Sequence, residues 1–243
     1  MFGLVEWRGA GERCGAREKR LDGVRFLAVG IRRGDGLRAV WSLRTAARTL
    51  EWYGVTQAVF PRGFSAYERF AARGIVPVDV RPLREAAAAA IARRVMAQQE
   101  IAPRRATVAL CALRVTRAYA AAAETLAADT RYLQLCTLSG GRELSQALRS
   151  RFGVAAPVLS APEGADIVLC FDDAAEISAA RGIVLPLGAA SLRVTYGGER
   201  AEKCGGEPEQ LLAAWYASLA LRAEEICVKR VAWDQSANIG VER

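Results

Sequence analysis

Three apolar segments of equal length, separated by helix-like segments, constrain the fold of this chain more than any other feature. They read ATVALC from residue 106, RYLQLC from 131 and ADIVLC from 165. Parallel strands that neighbour each other in a sheet need a crossover of about a dozen residues or more, which is usually a helix. Each of the two gaps between these segments is long enough for one. The spacing therefore predicts an α/β fold with a mostly parallel sheet of repeated β-α units.

The first hundred residues continue this alternation. Gly54 and Gly74 follow helix-like segments and are natural stops, and Ser65 stands where a helix cap is expected. The segment before Gly23 shows no clear pattern. We predict strands over 24–31, 57–60 and 75–80, and helices over 37–53, 65–73 and 82–100.

The second half follows the same rules. Thr116 is placed to cap a helix through 128, and Gly153 closes a helix over 142–152. Strands are predicted over 106–111, 131–136, 166–171, 183–187 and 192–196. A long amphipathic helix over 208–230 is predicted to turn Leu212, Trp215, Leu219 and Ile226 towards the core. Pro103 marks the junction between an N-terminal α/β unit, 1–104, and a second unit, 105–243, and the two can also form one continuous domain.

From 106 to 187, about a third of the chain, the strand spacing and the phrase ADIVL resemble the Rossmann-like NAD(P)-binding domains of the shikimate-dehydrogenase type. That resemblance implies a Rossmann-like C-terminal half and a late helix that packs back onto the protein. The glycine phosphate loop of the family is absent, because the chain has no glycine between Gly74 and Gly140. The lysine of that family's substrate half has no counterpart between Lys19 and Lys203. The glycine positions would fall near Cys111 or Ala112, Leu113 or Arg114, and Thr116 or Arg117.

A second strand-to-helix loop, Thr137 to Arg142, is better suited to bind an anion. Free N–H groups at a helix start and the helix dipole attract negative charge, and arginines add paired hydrogen bonds. Arginines at strand ends, Arg62 among them, can equally be solvated surface residues, and the loop glycines can simply make room. No acidic residue is present to pair with an adenosine ribose, so that NADP is the dinucleotide that this loop would prefer. The candidate anion-binding residues are Arg114, Arg117, Thr137, Ser139, Gly140, Gly141 and Arg142.

Histidine is absent from the chain. This excludes Ser-His and Cys-His nucleophiles and most zinc hydrolase arrangements. Asp172 and Asp173 follow a predicted strand, where carboxylates can bind magnesium or transfer protons, but only Asp79 offers a partner and a helix cap before 174–180 explains them more simply. We assign no catalytic residue.

Six widely spaced cysteines contain no CxxC pair, and we expect no structural metal. Cys111, Cys136 and Cys170 each fall near the end of a predicted strand, where neighbouring strands could bring their sulfurs together. Reduced packing in the core is the preferred interpretation, since free cysteine behaves as a small buried hydrophobe. A nucleophile at Cys111, near Arg114, is the alternative.

The net charge of +8 comes almost wholly from arginine, since Lys19, Lys203 and Lys229 are the only lysines. The arginines are scattered and no nucleic-acid motif accompanies them, so that a nucleic-acid partner is not expected. The apolar stretch 211–221 is too short to cross a bilayer, for which roughly 20 residues are needed. Charged residues interrupt the first thirteen positions, and we expect an unprocessed, cytosolic protein.

These features give two functional hypotheses. The first is a cytoplasmic, non-catalytic regulatory or scaffold protein on a degenerate Rossmann-like fold, without a cofactor, that binds a small anionic metabolite and contacts a protein partner. The alternative is an NADP-dependent oxidoreductase with an atypical phosphate loop.

Overall fold

The computed structural model describes residues 1–9, 15–172, 182–197 and 205–233. Contacts divide the chain into two compact units. Unit 1 comprises 1–80 and 198–225, and unit 2 comprises 81–197 and 226–243.

The strands and helices of the described residues are numbered in chain order. The strands are β1 (Phe2–Trp7), β2 (Ala16–Leu21), β3 (Val24–Ile31), β4 (Gln57–Val59), β5 (Val76–Pro77), β6 (Thr107–Arg114), β7 (Tyr132–Ser139), β8 (Val158–Leu159), β9 (Ile167–Cys170), β10 (Ile183–Pro186), β11 (Arg193–Tyr196) and β12 (Val228–Ala232). The helices are α1 (Leu37–Trp52), α2 (Glu68–Ala71), α3 (Arg81–Ala86), α4 (Ala88–Gln98), α5 (Arg117–Ala127), α6 (Gly141–Phe152) and α7 (Pro208–Ala217), and a 3₁₀ turn covers Ala223–Glu225.

Unit 1 contains a five-stranded sheet in the order β2-β3-β1-β4-β5. β1 lies parallel to both β3 and β4, β5 lies parallel to β4, and β2 forms an antiparallel hairpin with β3. The hairpin turns at Asp22 and Gly23, which both have positive φ angles, of 47° and 83°. That geometry is typical of a tight Asp-Gly hairpin turn. An aromatic cluster of Phe60, Phe64 and Phe70 contributes to the core of this unit.

Unit 2 contains a five-stranded sheet in which every pair is parallel, in the order β10-β9-β6-β7-β8. If the five strands are counted along the chain, their spatial order is 3-2-1-4-5, which is the order of a Rossmann-type sheet. The fold is therefore α/β, with a mostly parallel sheet in each unit and a Rossmann-like second half. In such sheets the ligand crevice opens between the first and fourth strands, here β6 and β9, at their carboxyl ends.

The largest differences from the sequence prediction lie in the N-terminal segment and in the C-terminal third of the chain. β1 and β2 occupy a segment in which no pattern was recognised. The predicted helix over 208–230 is wrong beyond Ala217, because Leu219 has a positive φ of 59° and β12 then pairs antiparallel with β11. Leu219 is consequently exposed instead of packed in the core.

Smaller differences concern element ends. The predicted helix over 82–100 is divided at Ala87 into α3 and α4, and α2 begins at Glu68 with no side-chain cap, so that Ser65 does not cap it. β7 extends through Ser139, which places part of the predicted loop in the strand, and the two-residue strand β8 was not predicted. Asp173 and the predicted helix over 174–180 lie outside the described residues.

The boundary between the units falls at 80/81, whereas the sequence predicts it at 104/105. The physical reason is that α3 and α4 pack within unit 2. The Arg84 side chain is buried and donates to the carbonyls of Leu187 and Ala189, and Gln98 bonds to the backbone of Val231. Within the described ranges, no helix is long and apolar enough to span a membrane.

Candidate functional site

The carboxyl edge of β6 differs from that of an ordinary dinucleotide-binding sheet. β6 remains paired with β7 as far as Arg114 and Ser139, and the Val115 N–H then donates to the Ser139 carbonyl at 3.0 Å. Cys111 to Arg114, which occupy the expected positions of the first glycines, are therefore part of a strand. A turn that would let a pyrophosphate approach the backbone is missing at this point.

An internal carboxylate lies at the switch point between β6 and β9. Leu113 lies one residue before the end of β6, and its N–H donates to Asp172 Oδ2 at 2.6 Å. Arg81 Nη2 lies 3.6 Å from Asp172 Oδ1 and also donates to the Phe171 carbonyl. A backbone N–H and a guanidinium are the groups that proteins use to hold phosphate oxygens. Asp172 thus occupies these donors from within the chain.

The start of α5 is capped as predicted. The Thr116 hydroxyl accepts a hydrogen bond from the Tyr119 N–H at 3.2 Å, and Thr116 has the extended backbone of a cap residue. One of the free N–H groups at this helix start is therefore already satisfied.

Two residues of the second loop serve the packing of the strand-to-helix turn. A Cβ added to the buried Gly141 would come within 2.7 Å of Thr137 Cγ2 and 2.9 Å of Val158 Cγ1, so only glycine fits there without movement. The Thr137 hydroxyl donates to the Ser139 carbonyl at 3.1 Å and is half-buried. Gly140 has a φ of 81°, a left-handed conformation that favours glycine.

The remaining predicted residues are exposed at the same edge of the unit 2 sheet. Arg114 ends β6, directly opposite Ser139 in the register, while Arg117 and Arg142 stand in the first turns of α5 and α6. In the part of the chain that the structure describes, none of these three arginines makes an ion pair or hydrogen bond. The edge therefore presents three unpaired guanidinium groups beside two helix N-termini, which also attract anions, and α6 carries the carboxylate of Glu143 in its first turn. Arg62 belongs to unit 1, where its carbonyl accepts from Trp7 Nε1 at 3.3 Å.

Three cysteines form one row across the unit 2 sheet. Cys111 is in register with Cys136 on one side and with Cys170 on the other, and all three are free and buried. They pack among Ala109, Val168 and Val184. The expected alignment of the three cysteines on neighbouring strands and their packing in the core are therefore confirmed.

Burial and mutual hydrogen bonding raise the pKa values of Cys111 and Cys136 and keep these two thiols protonated. The hydrogen bond with Cys136 lowers the pKa of Cys111, but the hydrogen bond with Cys170 and burial outweigh it and raise the pKa to about 12. The hydrogen bond with Cys111, followed by burial, raises the pKa of Cys136 well above its usual range. A thiol is nucleophilic only as thiolate, so Cys111 is not an activated nucleophile.

Sequence reasoning missed the pairing of Asp172 with Arg81 because the two residues are 91 positions apart and no local pattern connects them. It also missed β1, and therefore Trp7 and Arg8 at the end of that strand, which line a cavity in unit 1. The Asp-Gly pair at 22–23 before an apolar strand was the available signal, since that dipeptide marks a hairpin and requires a partner strand before it.

No protein-family model matches the chain, and no curated protein matches it significantly in sequence. Among solved structures, one described as a shikimate 5-dehydrogenase-like protein is similar, with 11% sequence identity and a TM-score of 0.23. The match covers 70% of this chain and 64% of that one, so that the chain spans less than two thirds of the length of the protein it resembles.

Proposed function

We propose that this chain is a non-catalytic regulatory protein that binds a small anionic metabolite at the carboxyl edge of the unit 2 sheet. The observation that carries the proposal is the group of three exposed arginines, Arg114, Arg117 and Arg142, which have no acidic partner among the described residues. Planar guanidinium groups bind carboxylate and phosphate oxygens in pairs. The exposed Ser139 and Gly140 lie between them in the chain and offer a hydroxyl and a backbone N–H.

The occupied switch point favours this function over the alternative of an NADP-dependent oxidoreductase. A dinucleotide needs a free backbone approach at the end of β6, where the Leu113 N–H instead donates to Asp172. The three arginines Arg114, Arg117 and Arg142 form what we call the anion edge. It lies on the β7 side of the switch point, so an anion can bind there without opening the crevice between β6 and β9. A ligand smaller than a dinucleotide suits it better.

Thermal shift and calorimetry with pyrophosphate and NADP test the proposal. A ligand that binds only the folded state raises its melting temperature. We expect saturable binding of pyrophosphate by the wild type and at least tenfold weaker binding by the triple variant Arg114→Ala/Arg117→Ala/Arg142→Ala, because each charge-assisted hydrogen bond contributes about 1.5–3 kcal/mol. The matched control is Arg94→Ala/Arg104→Ala/Arg105→Ala, which removes the same charge from exposed arginines of unit 2 elsewhere in the sequence.

Equal weakening in the two triple variants would show a general charge effect and contradict the site. Tight NADP binding that is lost in Arg142→Ala would favour the oxidoreductase. Absence of any saturable binding by the wild type would contradict both functions.

A protein-binding role is supported by one face of α1. Leu37, Trp41 and Trp52 follow a helical spacing and are 90%, 60% and 86% exposed, with Arg44 and Arg48 between them on the same face. Exposed tryptophan and arginine are the residues that most often dominate protein interfaces. We propose an acidic amphipathic segment of a partner protein as the occupant of this face, because its arginines have no ion pair within the described chain.

A calorimetric titration with an acidic amphipathic helical peptide tests this role. The wild type is expected to bind the peptide, and Trp41→Ala/Trp52→Ala is expected to lose that binding while it retains pyrophosphate binding. The control Trp41→Phe/Trp52→Phe keeps aromatic surface and should bind. Failure of the wild type to bind, or equal binding by the alanine variant, would contradict the proposal.

A further inference from the structure

A cavity of about 550 Å³ opens in unit 1, remote in sequence from the anion edge of unit 2. It lies where β1 and β3, two parallel strands, reach their carboxyl ends, and ligands of open α/β sheets bind at such ends. Its volume is in the range of small-molecule sites, roughly 300–1,000 Å³. The described residues that line it and enter the argument are Glu6, Trp7, Arg8, Arg17, Gly30 and Arg33.

The lining of this cavity carries an excess of positive charge. Its one lining carboxylate, among the described residues, is Glu6, and two cations already neutralise it: Arg17 Nη2 at 3.0 Å and Lys19 Nζ at 2.6 Å. Arg33 adds a further guanidinium group. Because glutamate is compensated twice, the field inside the cavity favours an anion.

Two arginines that line the cavity, Arg33 and Arg8, are positioned by their neighbours. The Arg33 guanidinium lies 5.2 Å above the centre of the Trp7 ring, and the Trp7 indole N–H is held by the Arg62 carbonyl. The Arg8 side chain crosses Gly30 so closely that a Cβ at position 30 would collide with Arg8 Cγ. Gly30 therefore gives Arg8 its path across β3. Both groups are held in place before any ligand arrives, which lowers the entropic cost of binding.

A smaller cavity of about 210 Å³ adjoins the first, since Gly15, Val29 and Gly30 line both. It is also lined by Thr45 of α1, whose hydroxyl has no hydrogen-bond partner among the described residues. The two cavities together offer guanidinium groups that can bind an acidic group of a ligand. For the rest of the ligand they offer the Thr45 hydroxyl beside the apolar residues Val29 and Ala46. Inorganic anions are too small to use both.

We propose that this cavity is a second binding site, for a small organic molecule that carries a phosphate or carboxylate group and a hydroxylated body. The site is independent of the anion edge of unit 2 and needs none of its residues. It adds a ligand that the proposed function does not require.

Isothermal titration calorimetry at low ionic strength with ribose 5-phosphate, citrate and inorganic phosphate tests the site. We expect saturable binding of ribose 5-phosphate or citrate that is tighter than that of inorganic phosphate. Arg33→Ala should weaken it about tenfold or more, because a charge-assisted hydrogen bond is lost, and Arg33→Lys should weaken it less. Thr45→Val, which preserves volume, should weaken binding of the organic probe without affecting inorganic phosphate. Binding of ribose 5-phosphate would indicate that the acidic group of the ligand is a phosphate. Binding of citrate would indicate that it is a carboxylate.

The control Arg38→Ala removes an exposed arginine that does not line the cavity, and should bind like the wild type. Equal weakening by Arg33→Ala and Arg38→Ala would overturn the proposal, as would the absence of saturable binding of either organic probe at millimolar concentrations. The triple variant Arg114→Ala/Arg117→Ala/Arg142→Ala should retain this binding. Binding that this triple variant loses and Arg33→Ala keeps would belong to the unit 2 edge and would overturn the second site alone.

Discussion

At the scale of single residues, Asp172 occupies hydrogen-bond donors at the switch point of unit 2. Its carboxylate accepts from the Leu113 N–H at 2.6 Å and faces Arg81, and a protein anion thereby satisfies donors that a ligand phosphate would otherwise use. The Leu113 N–H near the end of β6 is thereby satisfied within the chain.

We predict that Asp172→Ala lowers the free energy of unfolding by about 1 kcal/mol, since a charge-assisted hydrogen bond is lost at a side chain that is 31% exposed. Urea denaturation followed by circular dichroism measures the change. Asp35→Ala, in an exposed loop, is the control and should unfold at the wild-type midpoint. An unchanged midpoint in Asp172→Ala would show that water replaces the carboxylate without cost.

The cysteine row makes stability sensitive to alkaline pH. The pKa of Cys111 is raised from 9.0 to about 12 in the folded protein, so the folded state keeps a proton that the unfolded state releases. The contribution of this group to stability is complete below about pH 9 and is lost as the pH rises towards 12.

We expect the free energy of unfolding to fall by at least about 1.4 kcal/mol, the equivalent of one pKa unit, between pH 8 and pH 11. Denaturant titrations at the two pH values measure it. Cys111→Ala should reduce this pH dependence, whereas Cys227→Ala, at an exposed cysteine, should not. Equal slopes for the two variants would contradict a role of the buried row.

At the scale of elements, the sequence predicts what depends on local pattern. β3 and α1 follow their apolar spacing, and the cap at Thr116 was predicted correctly because an N-cap hydroxyl acts over three residues. The antiparallel pairing of β12 with β11 joins segments more than thirty residues apart. The apolar spacing of 212, 215, 219 and 226 is typical of a helix and led to the wrong prediction beyond Ala217. Long-range pairing decided that segment.

The residues of the candidate site also divide into those that local pattern predicts and those that depend on long-range packing. The exposed arginines could be predicted because each follows a recognisable strand or opens a helix. The engagement of Thr137 and the packing of Gly141 could not, because they depend on the extra length of β7 and on β8, a strand of two residues.

Gly141→Ala tests the packing role of that glycine. The new methyl group would come within 2.7 Å of Thr137 Cγ2 and 2.9 Å of Val158 Cγ1, and overpacking of this kind costs about 1–3 kcal/mol. Thermal unfolding should show a lower melting temperature. Gly15→Ala, where nothing lies within 4 Å of the added Cβ, is the matched control. A melting temperature equal to the control would mean that β8 moves aside freely.

At the scale of the whole molecule, each unit is built from two separate stretches of the chain. Unit 1 is completed by residues 198–225, from the C-terminal third. The Phe60 N–H donates to Gln210 Oε1 at 2.8 Å and the Glu207 N–H donates to the Phe60 carbonyl, while Leu211 of α7 is fully buried. Unit 1 therefore needs α7 for its own core and for its backbone hydrogen bonds.

This arrangement predicts the behaviour of fragments cut at the sequence-predicted junction. The fragment 1–104 lacks α7, and the fragment 105–243 lacks α3 and α4, which carry the buried Arg84, Ile91 and Val95. Neither fragment retains the apolar burial that offsets the conformational entropy of folding, and domains have little stability to lose. We expect both to give poorly dispersed ¹H–¹⁵N spectra and non-cooperative unfolding, whereas 81–243, which contains all of unit 2, should unfold cooperatively. A well-dispersed spectrum from 105–243 alone would place the boundary at Pro103 and show that α3 and α4 are dispensable to the Rossmann-like sheet.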